Sequence, residues 1–98
     1  MAASMTVGQR IRLLRIALDL SQRRFGLLLG KTAETIAAYE SGETSPRLED
    51  MAKLHQLRIN AGPFVLGKST EMFEDDYGDV RREVMRIVNA AEKRLKRS

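Results

Sequence analysis

Residues 21–42 read SQRRFGLLLGKTAETIAAYESG, and this stretch decides the fold. Four residues in it are typical of helix ends: Ser21, Gly30, Thr32 and Gly42. A serine or threonine hydroxyl caps the free N–H groups of a first helical turn, and glycine adopts the left-handed conformation that ends a helix. The stretch therefore predicts two short helices, over residues 22–29 and 33–41, joined by a tight turn. Two helices joined this closely meet at a steep angle, which leaves the second one projecting.

Apolar residues at helical spacing predict further helices on both sides of this pair. A first helix, from Val7 to about Leu18, is capped by Thr6, and Gln9 completes a capping-box pattern. The residues expected to form its buried stripe are Val7, Ile11, Leu14 and Leu18. A fourth helix is expected to bury Leu48, Met51, Ala52, Leu54 and Leu57. A short fifth helix, which begins near Asn60 and Pro63, carries Phe64, Val65 and Leu66.

The pattern changes after the fifth helix. Residues 68–79 are expected to form an acidic linker, since residues 71–79 read EMFEDDYGD and hold five acids in nine positions. Residues 80–97 are expected to form an amphipathic helix. Its apolar stripe is Val80, Val84, Ile87, Val88, Ala91 and Leu95. The stripe is too apolar to leave in water, so the helix either pairs with a second copy or folds back on its own domain.

The composition excludes several classes of function. The chain has 98 residues and a net charge of +4, which suits a polyanionic partner without proving one. The absence of cysteine excludes disulfides, thiolate zinc sites and cysteine nucleophiles. His55, the only histidine, has no second ligand nearby in sequence, and Asp75-Asp76 has no catalytic partners. We therefore expect no metal, no cofactor and no enzymatic activity. We also expect no secretory signal in residues 1–5 and no membrane span.

The joint spacing of residues over four helices carries a family resemblance. The residues are Gly8-Gln9-Arg10-Ile11-Arg12, Leu14-Arg15, Ser21-Gln22, Phe25, Leu29, Gly30, Ile36, Tyr39, Glu40-Ser41-Gly42, Pro46, Leu48, Leu54 and Leu57. By this pattern residues 8–66 resemble the Cro/XRE-type, lambda-repressor-like helix-turn-helix family. The resemblance implies an all-α fold, with a five-helix DNA-binding domain over residues 6–67 and an additional C-terminal helix. Leu27 and Leu28 replace the family's usual polar residues, which suggests a contact with another element or chain.

The resemblance implies roles in DNA binding for particular residues. The positions that face base edges or the adjoining backbone are Thr32, Ala33, Glu34 and Ala38. Alanine can contact a thymine methyl group, and glutamate can accept a hydrogen bond from a cytosine amino group. Gln22 would donate to a DNA phosphate at the start of the second helix. Further candidates for phosphate contacts, which could equally form a solvated face, are Lys31, Arg47, Arg10, Arg23 and Arg24. Arg15 and Glu40 match a partly buried, structural ion pair.

Together these features predict a sequence-specific transcription regulator of the bacterial or phage cytoplasm, with double-stranded DNA as its partner. We expect a homodimer held by the C-terminal stripe, because phage-type repressors usually bind palindromes as dimers. One alternative is the antitoxin of a toxin–antitoxin pair, which would bind a small toxin through its tail. A second is a protein-interaction module that has lost DNA binding, because Ala33, Glu34 and Ala38 offer few groups for reading bases.

Overall fold

The computed structural model describes residues 5–97, and for Arg97 it describes the backbone only. Residues 1–4, which the expectation about a secretory signal concerns, lie outside this part of the chain. Six α-helices follow one another: α1 (Val7–Ala17), α2 (Gln22–Leu29), α3 (Ala33–Ser41), α4 (Leu48–Gln56), α5 (Ala61–Val65) and α6 (Tyr77–Arg97). The only β pairing within residues 5–97 is an isolated bridge between Ile59 and Phe73. The predicted all-α fold, with five helices and an additional C-terminal helix, is confirmed.

The helix ends lie where the capping residues predicted them. The Thr6 hydroxyl accepts from the Gln9 backbone N–H at 3.1 Å, and the Gln9 side chain accepts from the Thr6 N–H at 2.8 Å. Ser21 caps α2 and Thr32 caps α3 in the same way, each through the N–H three residues later. Gly30 and Gly42 end these helices in the left-handed conformation, at φ 70° and 85°. The capping hydroxyl groups and the left-handed glycines therefore set the ends of α2 and α3.

One core joins the first five helices. Its fully buried side chains include Ile11, Leu14, Leu18, Phe25, Leu29, Ile36 and Leu54. Three residues that we expected inside are exposed instead: Val7 (38%) and Leu48 (89%), together with Ala52. Val7 and Leu48 are the first residues of α1 and α4, where a helix extends past the core. Helical spacing identifies a face, but the neighbouring elements decide how far along that face burial extends.

Two glycines permit helices to approach more closely than a side chain would allow. A Cβ atom on Gly26 would lie 2.5 Å from the Lys31 carbonyl oxygen, and one on Gly8 would lie 2.4 Å from the Glu40 carbonyl oxygen. Gly26 therefore lets the turn after α2 fold back tightly on the helix. Gly8 brings α1 against the end of α3, so these two contacts fix the orientation of α3.

The segment that we expected to be an acidic linker packs against the domain. The Asn60 N–H donates to the Met72 carbonyl at 2.7 Å, and the Glu74 N–H donates to the Arg58 carbonyl at 2.9 Å. Met72 and Phe73 are half-buried against the core. The last helix also begins at Tyr77, three residues before the expected start at Val80. These contacts turn the chain back toward the first five helices.

The position of α6 corrects the expected dimer interface. Val80, Val84, Val88 and Ala91 are buried within a single chain, and Ile87 packs against the same core, whereas Leu95 is 54% exposed. The stripe lies over α2, where Leu28 is buried and Leu27 is half-buried. The contact suggested by Leu27 and Leu28 is therefore a contact with α6. Side chains already covered in this way are not available to a second copy while α6 stays in place.

Two hydrogen bonds hold the beginning of α6 on the end of α1. The Tyr77 hydroxyl donates to the Ala17 carbonyl oxygen at 2.6 Å, and Arg81 Nε donates to the Leu18 carbonyl oxygen at 3.1 Å. The acceptors are the last residue of α1 and its C-cap, where helix carbonyl groups lack partners within the helix. The contacts of α6 are thus polar at its start and apolar along its length.

Candidate nucleic-acid interface

The α2–α3 pair presents the residues predicted to face DNA bases. Ile36 and Tyr39 are buried and fix α3 to the core, so the opposite side of α3 faces solvent. Of the four predicted base-facing residues, Thr32 and Glu34 are exposed, and Ala33 and Ala38 are half-buried. The Thr32 hydroxyl already has partners within α3, since it accepts a hydrogen bond from the Thr35 N–H and lies 3.0 Å from the Thr35 hydroxyl. Glu34 is therefore the longest exposed polar side chain among the four.

A cleft of about 610 Å³ brings several predicted site residues together. It lies between α3 and the loop that precedes α4, and its lining residues include Lys31, Glu34, Ala38 and Arg47. The lining also includes Thr35, Thr44 and Ser45, whose hydroxyl groups can donate to an oxyanion. Two predicted base-facing residues and two predicted phosphate-binding cations thus share one surface depression. Such a mixture suits a nucleic-acid strand, whose phosphates and bases must be contacted side by side.

Two carboxylates from α4 hold the Lys31 ammonium group. Lys31 Nζ donates to Glu49 Oε1 at 3.1 Å and lies 4.0 Å from Asp50 Oδ1. The hydrogen bond from Lys31, together with its charge, lowers the pKa of Glu49. Lys31 is thereby directed toward the α3–α4 cleft. A phosphate in the cleft would have to compete with Glu49 for this cation.

Asp50 helps to build the candidate site, and sequence reasoning did not identify it. Its side chain is fully buried, and Oδ2 accepts from the Tyr39 hydroxyl at 2.9 Å and from the Arg47 N–H at 3.0 Å. Burial, with the hydrogen bond to Asp50 and its negative charge, raises the pKa of Tyr39 to about 12. Oδ1 has no hydrogen-bond partner, so the nearby Lys31 charge compensates it. Asp50 therefore ties α3, the α3–α4 loop and Lys31 together. The available signal was an acid three residues after the N-cap of α4, where it can accept from the cap N–H.

The predicted structural ion pair is present in the structure. Arg15 Nε donates to Glu40 Oε2 at 2.6 Å, Arg15 Nη2 donates to Glu40 Oε1 at 3.1 Å, and both side chains are largely buried. Arg15 also donates to the Leu20 carbonyl oxygen at 2.9 Å. The Gln22 side-chain amide, which is predicted to donate a hydrogen bond to a DNA phosphate, donates to Glu40 Oε1 at 3.2 Å. This network connects α1, the start of α2 and the end of α3, and it orients the Gln22 amide.

Two of the remaining predicted phosphate contacts lie apart from the cleft. Arg23, in the first turn of α2, forms an ion pair with Glu92 of α6 at 3.1 Å. The Arg10 guanidinium lies 6.0 Å from the centre of the Phe64 ring, so the structure places it beside α5 and not beside α3. An arginine over an aromatic ring gains a cation–π attraction, which gives Arg10 a structural reason for its position. Sequence alone indicated neither partner, because each lies more than fifty residues away.

We find neither a metal site nor a membrane-spanning helix in the described part of the chain. Within residues 5–97, no three histidine, cysteine, aspartate or glutamate side chains cluster as metal ligands would. None of the helices in the same range is long and apolar enough to cross a membrane. His55 accepts from the Gly62 N–H at 3.3 Å, a contact that joins α4 to α5.

Comparison with known proteins bears on the same region. Residues 11–57, just under half of the chain, match the family model described as Helix-turn-helix. The match begins within α1, contains α2, α3 and α4, and ends directly after α4. The chain matches no curated protein and no solved structure.

Proposed function

We propose that residues 11–57, which match the helix-turn-helix family model, form a DNA-binding domain of the Cro/C1 type, and that the protein is a sequence-specific transcription regulator. The observation that carries this proposal is the α3–α4 cleft, in which Lys31 and Arg47 lie beside Glu34 and Ala38 of α3. In this arrangement α3 enters the major groove, and the flanking cations bind the phosphates on one side of it.

The start of α2 supplies a second phosphate contact. Ser21 caps the helix, and the N-terminal end of a helix carries a partial positive charge that favours an anion. Gln22 lies at the first position of α2 and can turn its amide from Glu40 to a phosphate oxygen. The phosphate contacts of α2 and of the cleft then position α3. Sequence preference comes from Thr32, Ala33, Glu34 and Ala38, through thymine methyl groups and cytosine amino groups.

We propose that the regulator acts as a homodimer, but through a surface other than the stripe of α6. An apolar groove of about 530 Å³ runs from the α3–α4 loop to the end of α5, and Pro46, Leu48, Met51, Val65 and Leu66 contribute to its lining. Leu48 and Leu66 are the most exposed large aliphatic side chains of the described residues. A second copy is the occupant that fits the function, because a two-fold contact beside the cleft would hold two α3 helices over successive half-sites.

The antitoxin alternative keeps the same DNA contacts and assigns the exposed groove to a small toxin protein. The two occupants give different complexes. A homodimer forms from the purified chain alone, whereas an antitoxin forms a stable complex only with a second, different chain.

Selection of bound sites from random duplex DNA, with the mass of the bound complex, tests the proposed function. We expect one enriched palindromic site and a mass of two chains for each duplex. Gln22→Ala should weaken binding to all sequences alike, since it removes a phosphate contact. Binding without any sequence preference would contradict the proposed specificity, and no binding at low salt would support an interaction module that has lost DNA binding.

A pair of matched variants tests the dimer surface. Leu48→Asp places a charge in the groove, and Ile16→Asp places the same charge at an exposed position on α1, outside the groove. Sedimentation should show that Leu48→Asp is monomeric at concentrations where the wild type and Ile16→Asp are dimeric. A Leu48→Asp variant that dimerises as well as the wild type contradicts the proposed surface.

A further inference from the structure

A single carboxylate of α6 contacts both arginines in the first turn of α2. Arg24 Nη2 donates to Glu92 Oε1 at 3.1 Å and to Asn89 Oδ1 at 3.0 Å. Arg23 Nη1 donates to the other oxygen, Glu92 Oε2, at 3.1 Å. Glu92 therefore lies at the end of α2 that the proposed function assigns to a DNA phosphate. Its contacts join residues that are 68 and 69 positions apart in the chain.

The two arginines are held to different degrees. Arg24 has 30% of its side chain exposed, contacts both Asn89 and Glu92, and has a buried Nε atom. Arg23 has 59% of its side chain exposed, and the structure records its guanidinium against Glu92. Arg24 is thus fixed against α6, whereas Arg23 has space to rotate. Rotation of Arg23 would leave the Arg24–Glu92 pair intact.

Glu92 has the charge and the position of a competitor for phosphate. Arg23 directly follows Gln22, the residue proposed to contact a DNA phosphate, at the positively polarised end of α2. The hydrogen bond from Arg23, assisted by the charge of Arg24, lowers the pKa of Glu92, so this side chain carries a negative charge at neutral pH. A DNA phosphate that approaches this end of α2 meets both the repulsion of Glu92 and an arginine that is already paired.

We propose that Glu92 competes with a DNA phosphate for Arg23, so that α6 limits the affinity of the helix-turn-helix domain for DNA. The proposal rests on the proposed DNA-binding function. In the complex Arg23 leaves Glu92 and binds the phosphate. Arg24 then retains Glu92, and buried Val84 and Val88 keep α6 on the domain.

Glu92→Gln tests this competition, with Glu83→Gln as its matched control. Both variants remove one negative charge from α6, but Glu83 forms its ion pair with Arg86 of the same helix and not with an arginine of α2. Binding of the full chain to its selected duplex is measured by fluorescence anisotropy over a series of salt concentrations. We expect Glu92→Gln to bind about 2- to 5-fold more tightly than Glu83→Gln at low salt, the scale of one exposed ion pair. The difference between the two variants should shrink as the salt concentration rises, because salt screens both the exposed Arg23–Glu92 pair and the repulsion between Glu92 and the phosphate.

A second background identifies the cation involved. In an Arg23→Ala chain, the advantage of Glu92→Gln over Glu83→Gln should shrink to the part that comes from relief of repulsion between Glu92 and the phosphate, because the contested side chain is missing. An equal effect with and without Arg23 would overturn the proposal. Equal affinities of Glu92→Gln and Glu83→Gln for DNA would also overturn the proposal. Weaker binding by Glu92→Gln would overturn it too, because it would mean that Glu92 orients Arg23 toward DNA. Failure of the wild type to bind any duplex at low salt would overturn the proposed function as well, so the two failures are distinguishable.

Discussion

Replacing Val84 with alanine tests whether α6 belongs to the core of its own chain. Val84 is fully buried, and the change removes two methyl groups from the interior. Each buried methylene-sized group contributes about 0.8 kcal/mol, and the cavity left behind adds to the loss. The higher helix propensity of alanine offsets about 0.5 kcal/mol of it. We therefore expect the free energy of unfolding to fall by about 2 kcal/mol.

Val7→Ala is the matched control, because it removes the same two groups from a side chain that is 38% exposed at the start of α1. Its expected cost is about 0.5 kcal/mol. Urea denaturation followed by circular dichroism, at two protein concentrations about tenfold apart, measures both variants. Packing within one chain predicts that the difference between the wild type and Val84→Ala is the same at both concentrations. A loss no larger than that of the control, or a difference that depends on concentration, refutes this account of α6.

Three further predictions concern the α2–α3 unit. Arg15→Ala and Glu40→Ala should each lower stability, and the double variant should lose about 1–3 kcal/mol less than their sum, whereas strict additivity in urea melts would mean that the pair does not interact. Because the pKa of Tyr39 is raised from 10.0 to about 12, its contribution to stability is complete below pH 10 and is lost as the pH rises toward 12. The Tyr39→Phe variant should therefore lose less stability than the wild type between pH 10 and pH 12. The midpoints of urea denaturation across this pH range would show the difference. Glu34→Gln should raise DNA affinity by removing repulsion from phosphate, and a loss of binding to every duplex in a gel shift would show that Glu34 makes a favourable contact.

The caps and turns of the helix-turn-helix unit were predictable because their hydrogen bonds are local. Ser21 and Thr32 bond to an N–H three residues away, and Gly30 and Gly42 adopt a conformation that their own lack of a side chain permits. Such interactions depend on adjacent residues only, so the residue types at these positions are sufficient to place both ends of α2 and α3. The ion pair of Arg15 and Glu40, in contrast, was predicted from the family resemblance.

The candidate site was only partly predictable. Its exposed residues on α3 follow from the buried positions of Ile36 and Tyr39, which fix the face that remains outside. The carboxylates that hold its cations come from elements distant in sequence, and no periodic pattern connects Lys31 to Glu49 or Arg23 to Glu92. Long-range ion pairs depend on how helices cross, which is a property of the packed chain.

The sequence by itself determined that α6 is a helix with one apolar stripe, and that this stripe must be covered. It did not determine what covers the stripe, because a second copy and the chain's own α2 remove the same apolar groups from water. Only the tertiary structure decided between them. The backbone hydrogen bonds from Asn60 to Met72 and from Glu74 to Arg58 fold the chain back, so that Val84 and Val88 reach the core of the same chain. Hydrophobic burial is non-directional, so a sequence pattern can require burial without specifying the partner.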